Sequence, residues 1–243
     1  MKAPTLHKRL LAAALGGALL APVTALADIT WSFASGTSTS SGGISVGTSG
    51  WADTGTGGTL RQHTVVPWSG GLGVNLFNSE SSPNHAVDND GADEFVLFAF
   101  SEAVTLNEVT IGWPSASSGY DSDISVLAYT GAGSFDLTTE TYGDLTSDGW
   151  SFIGHYANLA QTSGTATINT GQVSSSYWLV GAANDQVSPT GLTGAKDYVK
   201  ILSLSGVTPP PPPPPNNSVP EPLSLGLLGL GLVGLARRRR SKD

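Results

Sequence analysis

The chain has 243 residues, a net charge of −8 and no cysteine, so no disulfide framework can hold it. Residues 28–207 carry 17 of the 19 acidic residues against only Arg61, Lys196 and Lys200, a net charge of −14. A surface with so little to neutralise phosphates argues against nucleic acid as a partner, and suits solubility and attraction for cations. All 19 Phe, Trp and Tyr residues lie in this same stretch, enough for a core and against disorder despite the Gly and Ser content.

The N-terminal segment opens with Lys2, Lys8 and Arg9, continues through an apolar run from Leu10 to Ala21, and ends on Ala25-Leu26-Ala27. This is the layout of a secretory signal peptide over residues 1–27. Ala25 and Ala27 are the small residues that signal peptidase reads, and cleavage would leave Asp28 first.

Residues 28–207 read as an exported domain built from strands. Ile29–Ala34 alternates apolar and polar residues. Gly36–Gly58 is nearly all Gly, Ser and Thr, and reads as a long surface loop or a weak edge hairpin. Glu94–Phe100 is a continuous apolar run, as in a strand covered on both faces. Val104–Trp113 changes face near Asn107, which predicts a bulge or short turn. Ile124–Thr130, Trp150–Tyr156, Thr165–Asn169, Tyr177–Ala183 and Tyr198–Leu204 complete the set. Many short strands separated by polar turns predict an all-β, antiparallel β-sandwich of jelly-roll type.

Candidate chemistry within this domain is sparse. Gly43-Ile44-Ser45-Val46-Gly47 fits the nucleophile pattern G-x-S-x-G, but no helix follows it, so the pattern lacks the context that gives it meaning. His63, His85 and His155 are scattered without metal-ligand spacing. No pair of carboxylates is singled out for glycan hydrolysis. The expectation is therefore a protein that is not an enzyme, with a glycan-acting enzyme as the weakest alternative. Asp88, Asp90, Asp93 and Glu94 fall within seven residues, with Gly91 to allow a turn. Calcium takes several hard oxygen ligands from such loops, so these four are candidate Ca²⁺ ligands, although the spacing is not that of an EF-hand. Trp51 and Trp68, in Gly-rich surroundings, are candidate stacking platforms for sugar rings.

Residues 208–218 form a linker containing seven consecutive prolines, Pro209–Pro215. Such a run adopts the extended left-handed helix at about 3.1 Å per residue, a stiff spacer of about 22 Å. Residues 219–243 follow as a tail. Val219-Pro220-Glu221-Pro222 precedes an apolar run of 14 residues, Leu223–Ala236, and the cluster Arg237-Arg238-Arg239-Arg240. As a helix the run spans about 21 Å, and about 27 Å counted from Val219, against a hydrocarbon core of about 30 Å. Snorkelling arginines and local thinning make up the difference in a single transmembrane span. Four arginines resist translocation, so the expected topology puts the domain outside and the arginines in the cytoplasm.

Pro-Glu-Pro, a Leu/Gly-rich span and a terminal Arg cluster together resemble the PEP-CTERM sorting signal. The resemblance implies processing by exosortase, a membrane-embedded enzyme of exopolysaccharide-producing Gram-negative bacteria. Val219, Pro220, Glu221, Pro222 and Arg237–Arg240 are then recognition residues, and the chemistry belongs to the partner enzyme. The stretch from His85 to Trp113, with Tyr177–Ala182 and Asp197–Ile201, is similar to a recurrent pattern in exosortase-dependent surface proteins, which implies no known enzymatic activity. The partners so implied are signal peptidase, the inner membrane before processing, exosortase and the exopolysaccharide matrix. The molecular role expected is a non-enzymatic surface or matrix protein, the alternative a carbohydrate-binding module retained in that matrix.

Overall fold

The computed structural model describes residues 28–55, 57–76, 80–115, 120–190, 192 and 196–209. Ala25 and Ala27 of the signal segment, the linker from Pro210 onward, Val219–Pro222 and Arg237–Arg240 lie outside the described residues, as does the expected membrane span. Among the described residues, no helix is long and apolar enough to cross a membrane.

In chain order the strands are β1 (Ile29–Ser32), β2 (Ser38–Ser41), β3 (Ile44–Asp53), β4 (Leu60–Trp68), β5 (Gly71–Asn75), β6 (Val87–Asp88), β7 (Glu94–Gly112), β8 (Tyr120–Asp121), β9 (Ile124–Tyr129), β10 (Trp150–Tyr156), β11 (Thr165–Thr167), β12 (Ser175–Ala182) and β13 (Lys196–Val207). The domain is all-β, as its alternation and turn composition require, and pairing is antiparallel apart from the short β8–β13 contact.

Two layers face each other, and two strands belong to both. β7 pairs through its first half with β3 and β12, then through its second half with β13 and β11. The corner is Ser101–Ala103, which is exposed. β4 pairs first with β3 and then with β5. Since β5 also meets β13 at Leu72↔Ile201, the path β3-β7-β13-β5-β4 returns to β3 and closes a five-stranded barrel. The outcome is sandwich-like, but the layers are joined rather than open. The expected bulge is present: opposite β13, the register steps from Glu108 to Leu106 across Asn107.

Gly36–Gly58 is a hairpin whose first strand lies at an edge, as one of the two expectations had it, but whose second strand is not weak. The hairpin is β2–β3, and β3 is an interior strand with β7 on one side and β4 on the other. Its glycines allow close approach: a Cβ at Gly50 would press on the His63 carbonyl and on Val74. Low apolar content in the sequence concealed a central strand.

Two cores explain the pattern of β7. One lies between the layers and includes Trp31, Phe33, Val96, Phe98, Trp178 and Ile201. The other lies on the outer face of the layer containing β3, β7, β12 and β9, and includes Trp51, Phe95, Leu97, Tyr142, Trp150 and Leu179. The segment between β9 and β10, with its 3-10 turn Leu137–Thr139, covers that face. Phe95 and Leu97 face one core, Val96 and Phe98 the other, so Glu94–Phe100 is apolar throughout.

Candidate functional site

A concavity lies where the β4–β5 turn, the end of β7 and the first half of β13 meet. It is a cleft of about 510 Å³, lined by Trp68, Ser69, Gly70, Ser82, His85, Trp113 and Lys200. That volume lies within the range of small-ligand pockets.

Local sequence dictates the convergence. Trp68 and Gly71 are cross-strand partners that close a tight turn over Ser69-Gly70. Gly71 has φ +118°, and a Cβ there would strike the Ile201 backbone. Lys200 is in register with Gly112, which has no side chain and lets the Gly70 carbonyl rest against it. The next residue, Trp113, has φ 60°, a left-handed conformation that costs a non-glycine residue about 1–3 kcal/mol. The surrounding pairing imposes that strain, and the strained backbone leaves the indole on the rim.

Trp68 and Trp113 are each 38 % exposed, among the few large apolar side chains so open. The His85 ring lies between them, 4.6 Å from Trp68 edge-on and 5.7 Å from Trp113. Lys200 is only 5 % exposed. Its Nζ sits 4.5 Å from the Trp68 ring centroid and 5.6 Å from that of Trp113, and donates a long hydrogen bond of 3.4 Å to the His85 carbonyl. Burial pulls the ammonium down to about 8, so it remains mostly charged at pH 7. His85 is lowered as well, by burial first and then by the charge on Lys200, against the Ser81 carbonyl. Its Nδ1 is buried with no hydrogen-bond partner among the described residues. Two partly exposed indoles, one enclosed cation and one imidazole make a site for a flat, partly apolar ligand with polar edges.

Of the two tryptophans expected to stack on sugars, Trp68 is in this cleft. Trp51 is not: it is 8 % exposed within the outer core, its Nε1 donating to Ser49 Oγ at 2.9 Å. The interior position of β3 is the reason. Trp113, His85 and Lys200 were not singled out as ligand residues. Lys200 had a signal, being one of three cations in the domain and the cation inside the apolar alternation Tyr198-Val199-Lys200-Ile201.

The four candidate calcium ligands do not converge. Asp90 is ion-paired with Lys196 and accepts a hydrogen bond from Tyr198 Oη at 2.8 Å. A cation distant in sequence thus neutralises a loop with none of its own. Asp93 turns toward Gln186, whose Nε2 donates to Asp93 Oδ2 at 2.6 Å and to Asp53 Oδ2 at 3.1 Å. Burial raises Asp93 to about 6, with Gln186 opposing and Asp53 and Asp185 adding. Asp88 and Glu94 are buried together, the Asp88 amide donating to Glu94 Oε2 at 3.0 Å. Burial, then their mutual repulsion among other charges, pushes Glu94 up; burial also dominates the rise at Asp88.

A different trio converges. Asp121, Asp123 and Asp197 bring ligand atoms within 4.8 Å of one another, a cluster that could hold a metal ion. The chain already satisfies much of it. Asp197 Oδ1 accepts from the Asp123 amide at 2.7 Å and Oδ2 from Asn89 Nδ2 at 3.0 Å, while Asp123 Oδ1 accepts from the Asn158 amide at 2.6 Å. Asp197 is pushed up to about 9, by burial first and then by a hydrogen bond with Asp121. At pH 7 a proton therefore occupies this cluster.

The remaining polar candidates lie outside the lining of this cleft. Ser45 lies within β3 with no helix after it. His155 is held between Ser125 Oγ at 2.8 Å and the Ser188 carbonyl at 2.9 Å, and His63 lies on β4.

Comparison with known proteins bears on the tail. The family model described as the PEP-CTERM protein-sorting motif matches residues 218–240. The chain carries this sorting motif. The PEP-CTERM match covers Val219–Pro222 and Arg237–Arg240, and it implies exosortase-dependent sorting of an exported, membrane-anchored precursor. No curated protein and no solved structure matches the chain, so what the exported domain does rests on its own geometry.

Proposed function

We propose that the chain is a non-enzymatic exported protein, sorted by exosortase, whose β-domain holds a glycan of the surrounding exopolysaccharide in the Trp68–Trp113 cleft. The observation that carries this reading is the pair of half-exposed indoles flanking one concavity on a rigid barrel. Sugar rings present apolar faces and hydroxyl edges, and tryptophan faces with nearby polar groups answer both. The cleft lining favours holding over hydrolysis: it offers tryptophan, serine, glycine, histidine and lysine, whereas glycoside cleavage uses two carboxylates. In this reading signal peptidase removes residues 1–27, the apolar tail holds the precursor in the inner membrane with Arg237–Arg240 inside, and exosortase acts near Glu221. The mature protein then stands at the cell surface or in the matrix of a Gram-negative bacterium. Calcium, where it contributes, belongs to Asp121, Asp123 and Asp197 rather than to the Asp88–Glu94 loop.

The test is polysaccharide binding by the full chain reconstituted in lipid nanodiscs. Retention on a neutral or acidic polysaccharide, weakened by Trp68→Ala and without release of new reducing ends, is expected. Release of reducing ends would make the protein a glycan-acting enzyme. For the sorting half, Glu221→Ala is expected to leave a form in the inner membrane whose mass includes Arg237–Asp243; a surface form that keeps those residues in the parent protein would reduce the tail to a plain anchor.

A further inference from the structure

Lys200 is an enclosed ammonium to which no carboxylate is ion-paired among the described residues. Its neighbours are two indole faces, the His85 ring and the His85 carbonyl at 3.4 Å. A buried charge normally has an opposite charge or a full set of hydrogen bonds, because taking it from water is costly. An ammonium has three donors, and one long bond to a carbonyl uses one of them. The domain does pair its amines elsewhere: Lys196, four residues earlier on the same strand and much more exposed, is matched to Asp90. Among the described residues no ion pair joins Lys200 to a carboxylate, although 17 acidic residues occur in residues 28–207. The side chain instead points into the cleft, between the two rings that would grip a ligand.

We propose that the ligand of the cleft is an acidic sugar, a uronic-acid residue of a polysaccharide, whose ring stacks on Trp68 and Trp113 and whose carboxylate pairs with the Lys200 ammonium. This inference rests on the glycan-holding reading above. The carboxylate supplies the missing opposite charge, and charge-assisted bonds of this kind are the strong ones. His85 lines the same wall. The domain's overall negative charge opposes an anion only at long range. At physiological ionic strength the screening length is about 8 Å, so contact with Lys200 outweighs charges spread over the rest of the surface. A free cation or an amine ligand would meet the ammonium head-on.

The experiment uses the full chain in lipid nanodiscs with two probes, a hexamer of galacturonic acid and its carboxyl-reduced counterpart, a hexamer of galactose. Titration calorimetry is expected to give the acidic hexamer a Kd lower by about tenfold or more. Lys200→Met keeps the apolar stem and removes the charge; it is expected to erase the difference between the probes. Lys200→Arg keeps the charge and is expected to preserve the preference. Equal affinity of the parent for both probes, or a preference that survives Lys200→Met, overturns the assignment of an acidic sugar and leaves glycan holding intact. Binding of neither probe overturns this inference together with the reading beneath it. Unchanged circular dichroism and melting temperature in Lys200→Met separate loss of recognition from loss of fold.

Discussion

Two buried polar environments sit three residues apart on β13. At Asp197 a carboxyl is closed in by amide donors and by other carboxyls. At Lys200 an ammonium is closed in by indole rings. The first gives up its charge, held at about 9 so that it is neutral at pH 7; the second keeps most of its charge, at about 8. Strand alternation separates them, Asp197 sharing the inward side with Val199 and Ile201 while Lys200 faces the cleft with the side of Lys196 and Tyr198. Burial alone therefore does not mark a ligand site. A buried charge still unanswered at the wall of a cavity does.

The comparison breaks most visibly if ligand binding follows the wrong cluster. Replacing both Trp68 and Trp113 by Ala is expected to weaken binding about 10³-fold, taking roughly 2 kcal/mol for each central aromatic. Asp197→Asn is expected to leave affinity within about twofold. Calorimetry on both variants decides between them, and the opposite order would move the site to the carboxylate cluster.

Next in size is the backbone that positions the cleft. Gly71→Ala is expected to lower stability by more than about 1 kcal/mol, because φ +118° and the Ile201 backbone leave no room for a methyl group. For a domain of this size that is a fall in Tm of about 2–4 °C or more. Sugar affinity falls with it as Trp68 shifts. A Tm equal to the parent's would mean that the turn is not constrained as described.

A pH series sharpens the contrast between the two kinds of buried group. Asp93 and Asp197, raised to about 6 and about 9, bind more protons folded than unfolded, as do the raised Asp88 and Glu94. Their contribution is fully present below the unfolded carboxylate value and is lost as pH rises through the folded values. Lys200, lowered to about 8, works the other way above that pH, since its unfolded form holds the proton longer. His85 and His155, both lowered by burial, also work the other way within this interval, but the four carboxyls outweigh them, so calorimetric Tm is expected to be higher at pH 5 than at pH 8 by several degrees. A Tm that rises with pH over that interval would remove the neutral-carboxyl account.

The smallest effect concerns calcium. With a weak site of Kd about 10⁻³ M, a millimolar concentration adds roughly 0.4 kcal/mol, about 1 °C. The cation has to displace the proton held at Asp197, so the rise in Tm is expected to be larger at pH 9 than at pH 6 and to vanish in Asp197→Asn. A shift abolished by changing Asp88 and Asp90 to Asn instead would return the site to the earlier loop.

What could be read from the sequence was local. The strands around Trp31, Phe98, Val126 and Trp178 announce themselves by alternation or by continuous apolar runs, and the tail by residues consecutive in the chain. β3, β4 and β5 did not, because their core side chains, Val46, Leu60, Leu72 and Val74 among them, are set among glycines that let neighbours approach and polar residues whose backbone completes the barrel. The cleft was half visible. Trp68 stood out by its Gly-rich surroundings, but its partners at 85, 113 and 200 meet it only through barrel closure. The acidic loop misled for the same reason: Lys196, far along the chain, answers Asp90, Asp93 turns to Gln186, and proximity in sequence did not bring all four carboxylates to one point.

The position of β13 has a mechanical consequence. Its first half carries Lys200 at the cleft, and its last residue, Val207, leads into the proline spacer. A load applied between a captured polymer and the tail therefore runs along a single strand. β13 is flanked on one edge by β1 and on the other by β7, in ladders whose hydrogen bonds lie across that line of force. Such bonds are sheared together rather than peeled one after another, so pulling free the strand that joins the two attachment points means breaking both ladders at once.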